Sequence, residues 1–489
     1  MITINNNMYV LDTDNTSYAF AVLGSGQLEH LYYGRKLHAN EAVMTEKHTF
    51  IPGNTNVYNK DYSSYSLEDV CLEMSSLGKG DIREPFIEVT YPNGSSTTDM
   101  VFDRAEIIQG KEEYDTLPGS YDDNGEVEQL VIYLKDRNYN LTLELHYYVY
   151  EKCDIITRSA KLVNSGNESV RLERLMSMQL DLNESDYELS FFNGAWAREM
   201  NRSRIPIRAG KYVNESVTGT SSNRANPFFM IGRSSTTEDY GECYGFNLIY
   251  SGNHYEAAQV NSYGKLRLVS GINPATFSYI IEAGKCFEAP EAVLTYSYKG
   301  YNRMSHNMHE FVRKHIVRGS WRDVERPVLI NSWEAAYFNI NERKLVKLAK
   351  AAKDTGVELF VMDDGWFGER NDDTSSLGDW TPNSRKLPNG IAGIADKIKE
   401  SGLGIWVEPE MVSVNSRLYE AHPEWVIEIP DVEHSEGRNQ RILDLTYEAV
   451  QDYIIEEMSE VFSSADISYV KWDMNRIFSD YYSKNLPPD

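Results

Sequence analysis

After Pro327 the chain alternates short apolar runs with amphipathic helical segments, a pattern that few folds can absorb. VLINSW reads as a strand. LVKLAKAAKDTG then sets Leu345, Leu348, Ala349 and Ala352 on one helical face and ends at Gly356, a natural C-terminal cap. There follow the apolar run ELFVMDD, the helix IAGIADKIKESG with Gly402 behind it, the strand GIWVEPE, a helix from about Tyr447 to Phe462 and the strand SYVKWDMN. Continuously apolar runs between amphipathic helices signal parallel strands covered on both faces. A doubly wound sheet would give the same alternation, but no GxGxxG follows the first strand. A closed (β/α)8 TIM barrel needs eight strand–helix steps and roughly 250 residues. About four steps fit before Asp489, so the pattern predicts the first half of such a barrel.

The preceding residues have another texture. They are rich in Tyr, Thr, Ser, Asn and Val, with turn signals at Asn93-Gly94 and Asp123-Asn124-Gly125. In NLTLELHYYVY, strict alternation puts Leu141, Leu143, Leu145, Tyr147 and Val149 on one side of a strand. Short strands of this kind recur to about Tyr298, which argues for an antiparallel β-sandwich. Met304, Met308, Phe311 and His315 then fall at helical spacing. His306, His309 and His315 share that helix without a convergent carboxylate, so they read as packing or surface residues rather than metal ligands. The expected organisation is a β-sandwich over 1–300, a helical linker over 301–325 and the first part of a catalytic barrel over 326–489.

Charge narrows the partners. Against 48 Lys and Arg stand 74 Asp and Glu, a formal net charge of −26. Such a field repels nucleic acid and anionic lipid, so neither is an expected partner and a neutral substrate fits best. MITINNNMYVLDTDNTSYAF has neither a basic n-region nor an apolar core, and no run approaches the ~18 apolar residues of a membrane span. The four cysteines, Cys71, Cys153, Cys243 and Cys286, lack CxxC spacing and read as thiols of a reducing compartment, so the expected location is cytoplasmic.

Function in a parallel barrel gathers at the C-terminal ends of the strands. Each apolar run here ends in a polar cluster: Trp333-Glu334, Asp363-Asp364-Gly365-Trp366, Trp406-Val407-Glu408-Pro409-Glu410, and Lys471-Trp472-Asp473-Met474-Asn475. Trp rings pack on the C–H face of a sugar while carboxylates accept its hydroxyl protons. Any single cluster is explained equally well by packing or capping, but four in succession point to a carbohydrate site. Strand periodicity turns Lys471, Asp473 and Asn475 to one face and Trp472 to the other. An ammonium beside Asp473 would keep it ionised, as a nucleophile requires, although a structural ion pair gives the same spacing. Glycoside hydrolysis uses two carboxyls, ~5–5.5 Å apart for retention and ~6.5–9.5 Å for inversion. Spacing does not choose the pair among Asp363, Asp364, Glu408, Glu410 and Asp473.

At NGAWARE (193–199), GINPATFSYIIEAGKCFEAPEAVLTYS (271–297), PVLINSWEAAYFNINERKL (327–345), ELFVMDDGWFGERNDDTSSLGDW (358–380), GIWVEPEMV (404–412), GRNQRILDLT (437–446) and YVKWDMNR (469–476) the chain resembles the α-galactosidases of glycoside hydrolase family thirty-six. The resemblance implies a retaining enzyme that removes terminal α-galactose from melibiose- and raffinose-type oligosaccharides by double displacement. It implies no metal and no other cofactor. By motif, Asp473 would be the nucleophile, and Asp363 and Asp364 would bind the hydroxyls that mark the axial 4-OH. Trp333, Trp406, Arg438 and Lys471 would line the same subsite, with Trp472, Met474 and Asn475 beside the nucleophile. Trp196 would reach the pocket from the β-domain, as part of a neighbouring subunit of a homo-oligomer such as a tetramer; a core position in the sandwich is its other reading. Asp81 and Arg83 in GKGDIREP match a family motif but read as an internal salt bridge. The family's general acid/base lies on a later strand, beyond residue 489, so the expectation is a C-terminally truncated chain, slow on its own. An α-N-acetylgalactosaminidase, a galactosyl transferase and a non-catalytic sugar-binding protein are the alternatives.

Overall fold

A computed structural model describes residues 1–38, 56–63, 66–222 and 224–487. The strand Leu141–Tyr150 shows how the first part is built. Leu141, Leu143, Leu145, Tyr147 and Val149 are all buried in the main core, as the alternation predicts. The opposite face is covered as well near the strand's end. Phe311, on the helix Gly300–His315, meets the Tyr150 ring edge-on at 4.9 Å, within a second cluster that includes Tyr148.

Around this strand runs a ten-stranded antiparallel sheet, ending at Arg198–Pro206 on one side and Met100–Gln109 on the other. A four-stranded meander (residues 2–35) and a six-stranded sheet built on the long strand Val170–Leu182 complete the unit. One continuous core takes Leu11 and Phe20 from the meander, Leu143 and Phe246 from the large sheet, and Leu180 and Leu268 from the third. Apolar faces of separate sheets closed against each other make a β-sandwich architecture.

The first compact unit extends to Asp323 and the second runs Val324–Pro488. The helix Gly300–His315, expected within a linker, therefore belongs to the first unit. Tyr301 and Met304 pack on Met230 and Cys243 of the large sheet. His315 is a packing residue: its ring lies 4.6 Å from that of Tyr150, and its Nδ1 is 3.0 Å from the Tyr121 carbonyl. None of the four cysteines forms a disulfide.

Asp81 and Arg83 do form the expected internal pair, at 2.8 Å, inside a larger ring. Arg267 Nη2 lies 2.8 Å from Asp81 and 2.7 Å from Asp181, and Arg83 lies 3.1 Å from Asp181. All four residues are buried. Burial alone would raise the Asp81 carboxyl, but Arg267 and Arg83 overcome it and hold Asp81 at about 2.

In the second unit, Leu329–Asn331, Leu359–Met362, Gly402–Val407 and Ile467–Trp472 form one parallel sheet in sequential order. The order never reverses. A doubly wound sheet has a switch point, whereas the strands of a (β/α)8 barrel follow one another around the ring. The four strands thus have the arrangement of consecutive barrel staves, and the described residues do not close a ring. The two inner strands are buried, while Leu329 and Ile330 on one edge and Tyr469 on the other are exposed, since each edge strand has a neighbour on one side only.

Helices Glu342–Lys353, Gly390–Lys397 and Glu448–Ser463 separate the strands. Leu345 and Ala349 are buried as predicted, and Gly356, at φ +92°, ends the first helix in a conformation that costs a Cβ-bearing residue most. The second helix stops at Lys397, short of the expected Gly402. That glycine instead opens the third strand, in register with Leu359. Gly404 in the same strand allows close packing, because a Cβ there would lie 2.8 Å from Val361 Cγ2 and 3.1 Å from the Tyr469 ring.

Candidate active site

The four strands end on one side of the sheet, and their polar clusters meet there. Lys471 is the last-but-one residue of the fourth strand and pairs with Trp406 in the third. Its Nζ lies 3.0 Å from Asp363 Oδ2 and 3.9 Å from Asp473 Oδ2, so two carboxylates share one ammonium. Asp473 extends the ladder by one step, its N–H donating to the Val407 carbonyl at 2.8 Å. Two more donors converge on Asp473 Oδ2: Trp406 Nε1 at 2.9 Å and Asn475 Nδ2 at 2.8 Å.

Asp363 is buried. Asn331 Nδ2, from the end of the first strand, donates to the same Oδ2 that meets Lys471, and Ser332 Oγ accepts the Asp363 N–H at 3.0 Å. Asp364 is engaged separately. Arg370, itself buried, grips it with Nε at 3.0 Å and Nη2 at 2.9 Å, the forked pairing that a planar guanidinium favours. Burial pushes the Asp364 carboxyl up, against the pull of Arg370.

Trp333 stands half-buried beside Asn331, edge-on to Phe338 at 5.0 Å. Trp406 is 2% exposed and acts through its N–H rather than as an open platform. Trp472, on the opposite side of the strand from Lys471, is exposed and donates its indole N–H to Glu410 Oε1 at 3.0 Å. Met474 packs partly buried against the unit's core. Arg438 is exposed on a tight loop in which it and Asn439 both take left-handed φ values, 56° and 55°. Trp196 is placed in the first unit, 91% exposed at the turn between strands Glu188–Ala195 and Arg198–Pro206, and not in its core.

Sequence reasoning passed over Asn331, Arg370 and Gln440, and left Glu408 as one carboxylate among several. Asn331 sits at a strand end, where position alone could have suggested it. Arg370 and Gln440 come from long excursions between strands and helices, which carry no periodicity to read. Glu408 is 1% exposed, with Oε1 2.5 Å from the Asn475 N–H and Oε2 3.0 Å from Gln440 Nε2. Burial pushes its carboxyl up to about 7, with the Asp473 charge adding to that and the Asn475 and Gln440 donors opposing it.

Comparison with known proteins identifies the family. Residues 26–282 match the glycosyl hydrolase family 36 N-terminal domain, and residues 286–489 match melibiase. The chain is 43% identical to alpha-galactosidase AgaA of Geobacillus stearothermophilus over 98% of its own length and 66% of that protein's. The crystal structure of the alpha-galactosidase from Lactobacillus brevis superposes with a TM-score of 0.96 at 39% identity, over 99% of this chain and 66% of that one. AgaA variants solved with raffinose and with stachyose superpose at 0.96 and 0.95, with 42% and 41% identity, each over 98% of this chain and 67% of that one. The chain thus spans about two thirds of the length of these relatives. By these matches, and by a fold that superposes along nearly its whole length, the chain belongs to glycosyl hydrolase family 36.

Proposed function

We propose that this chain carries the galactose-binding site of a retaining α-galactosidase, acting on raffinose-type oligosaccharides with Asp473 as nucleophile. One observation carries the reading: Asp473 Oδ2 accepts from Trp406 and Asn475 while Lys471 joins it electrostatically to Asp363. Lys471, Trp406 and Asn475 together fix this carboxylate at the strand ends, as attack on an anomeric carbon requires. Among the described residues, Asp473 Oδ1 accepts no protein hydrogen bond and is the oxygen left for that attack.

In the first displacement, Asp473 bonds to the anomeric carbon as the glycosidic C–O bond breaks and a general acid gives the leaving oxygen its proton; in the second, water replaces Asp473 while that same group takes a proton back from the water, returning the original configuration. Asp363 and Asp364 accept hydroxyls of the bound galactose, held in place by Lys471 and Arg370. The proton for the leaving oxygen is not assigned to Glu408, whose two oxygens are engaged by Asn475 and Gln440, nor to Asp364, whose carboxylate is paired with Arg370. The raffinose and stachyose bound to AgaA variants support the substrate class. The 91% exposure of Trp196 supports its delivery to the site by a second copy of the chain, in a homo-oligomer. Four thiols without a disulfide support a cytoplasmic location.

Trapping with 2-deoxy-2-fluoro-α-galactosyl fluoride, followed by peptide mass mapping, tests the assignment. The label is expected on the peptide holding Asp473, and a label elsewhere overturns it.

A further inference from the structure

Glu408 is a costly residue where it stands. It is 1% exposed, and its oxygens are met by two neutral N–H donors, the Asn475 amide and Gln440 Nε2. A buried carboxylate answered only by neutral donors is a poor choice for stability, and such a cost usually has a functional counterpart. Both donors belong to site segments. Asn475 is the residue whose side chain donates to Asp473 Oδ2. Gln440 follows the Arg438–Asn439 turn, whose two left-handed residues need an anchor to stay in place.

We propose that Glu408 is a positioning residue that sets Asp473, by gripping the Asn475 backbone amide and, through Gln440, the loop that carries Arg438. The proposal rests on the reading of Asp473 as nucleophile and deepens it. The third strand pairs with the fourth up to Val407 and Trp472, and Glu408 is the next residue. Its carboxylate takes over where the ladder stops, so the turn beyond Asp473 is fixed as firmly as the strand before it. Without that grip, Asn475 Nδ2 has no reason to stay 2.8 Å from Asp473, and the nucleophile keeps only the Trp406 donor.

The replacement Glu408→Gln should work almost as well as the native residue. The glutamine carbonyl can accept the Asn475 N–H, and its NH2 can donate to Gln440 Oε1, a buried acceptor with no hydrogen-bond partner among the described residues, once the Gln440 amide rotates. Glu408→Ala offers neither contact.

The test uses the full chain with 4-nitrophenyl α-galactoside and hydrogen exchange read by mass spectrometry. E408A is expected to lower kcat about 10²-fold with KM changed less than about threefold, as a misplaced nucleophile would. E408Q should stay within about fivefold of wild type, and E408A should speed exchange in peptides covering 437–441 and 473–476. In the N475A background, adding E408A should cost no more than about threefold, because the path to Asp473 is already cut. Should E408A not fold, E408D, shorter by one methylene and still ionisable, carries the same cycle. Independent, multiplying losses for E408A and N475A, or a kcat unchanged in E408A, overturn the proposal. A wild-type chain whose Asp473 peptide takes no label from 2-deoxy-2-fluoro-α-galactosyl fluoride instead sinks the reading of Asp473, and the proposal falls with it.

Discussion

Two charge clusters built from the same residue types have opposite designs. In the first unit, Asp81 and Asp181 face Arg83 and Arg267, acid matched to base, with every member buried. In the second, Asp363 and Asp473 share the one ammonium of Lys471, and the side chains of Lys471 and Asp473 are 38% and 29% exposed. The first ring is closed: its charges answer one another and leave nothing for a ligand. The second has more acid than base, neutral N–H donors where a second cation could stand, and an open side. Burial and balance make a charge cluster structural; imbalance with access makes it available for chemistry.

The sharpest way to break this contrast is to neutralise one member of each cluster. D473N should lower turnover roughly 10⁴-fold or more while leaving the unfolding free energy within about 0.5 kcal/mol, because its carboxylate is partly solvated. Initial rates and chemical denaturation on the same samples check it. R267A should do the reverse, costing about 3–5 kcal/mol of stability by stranding two buried carboxylates, with kcat per folded molecule unchanged. A catalytic defect in R267A, or an unfolded D473N, would abolish the distinction.

pH separates the closed ring from Glu408, the buried acid behind the second cluster. Glu408, raised from 4.5 to about 7, binds its proton more tightly folded than unfolded. Its contribution to stability is therefore full below pH 4.5 and lost as pH rises through 7, an effect of about 3 kcal/mol that E408Q should lack. Asp81, lowered from 3.8 to about 2, has the opposite sign: its contribution is present above 3.8 and lost as pH falls through 2. D81N should remove about 2 kcal/mol of acid sensitivity. Denaturation midpoints across pH 2 to 8 would show both slopes, and slopes of equal sign would contradict this account. The smallest expected effect is that of W406F, which removes one of two donors to Asp473 and should cost about tenfold in kcat.

The parts of this design legible in sequence are those that follow a period. Lys471, Asp473 and Asn475 lie two residues apart and do share a side, while the Trp472 indole goes the other way to Glu410. Leu141 to Val149 alternate and are buried on one face; Leu345 and Ala349 mark a helix face. Where no period exists, reading failed. Arg370 comes from the stretch between Met362 and Gly390, whose buried Trp366, Phe367 and Trp380 form a plug with no regular spacing. The end of the second helix was misplaced because KIKESG keeps helical polarity after the backbone has left the helix at Ile398. Trp406 is expected in the site from its strand-end position, but its use as a donor to Asp473 depends on the register between two strands more than sixty residues apart, which local pattern does not encode.

That register has a consequence for how the chain can change over time. Trp406 faces Lys471 and Val407 faces Trp472 across one ladder, so sliding either strand by a single residue would exchange ammonium for indole at the site. Gly404, deep in the same ladder and bare of side chain, lets Val361 and Tyr469 approach closely enough to hold that alignment. A methyl group added there would press on Val361 and the Tyr469 ring and disturb the ladder, so a lineage changing its site would find its freedom in the excursions that follow the strands rather than in the staves that carry them.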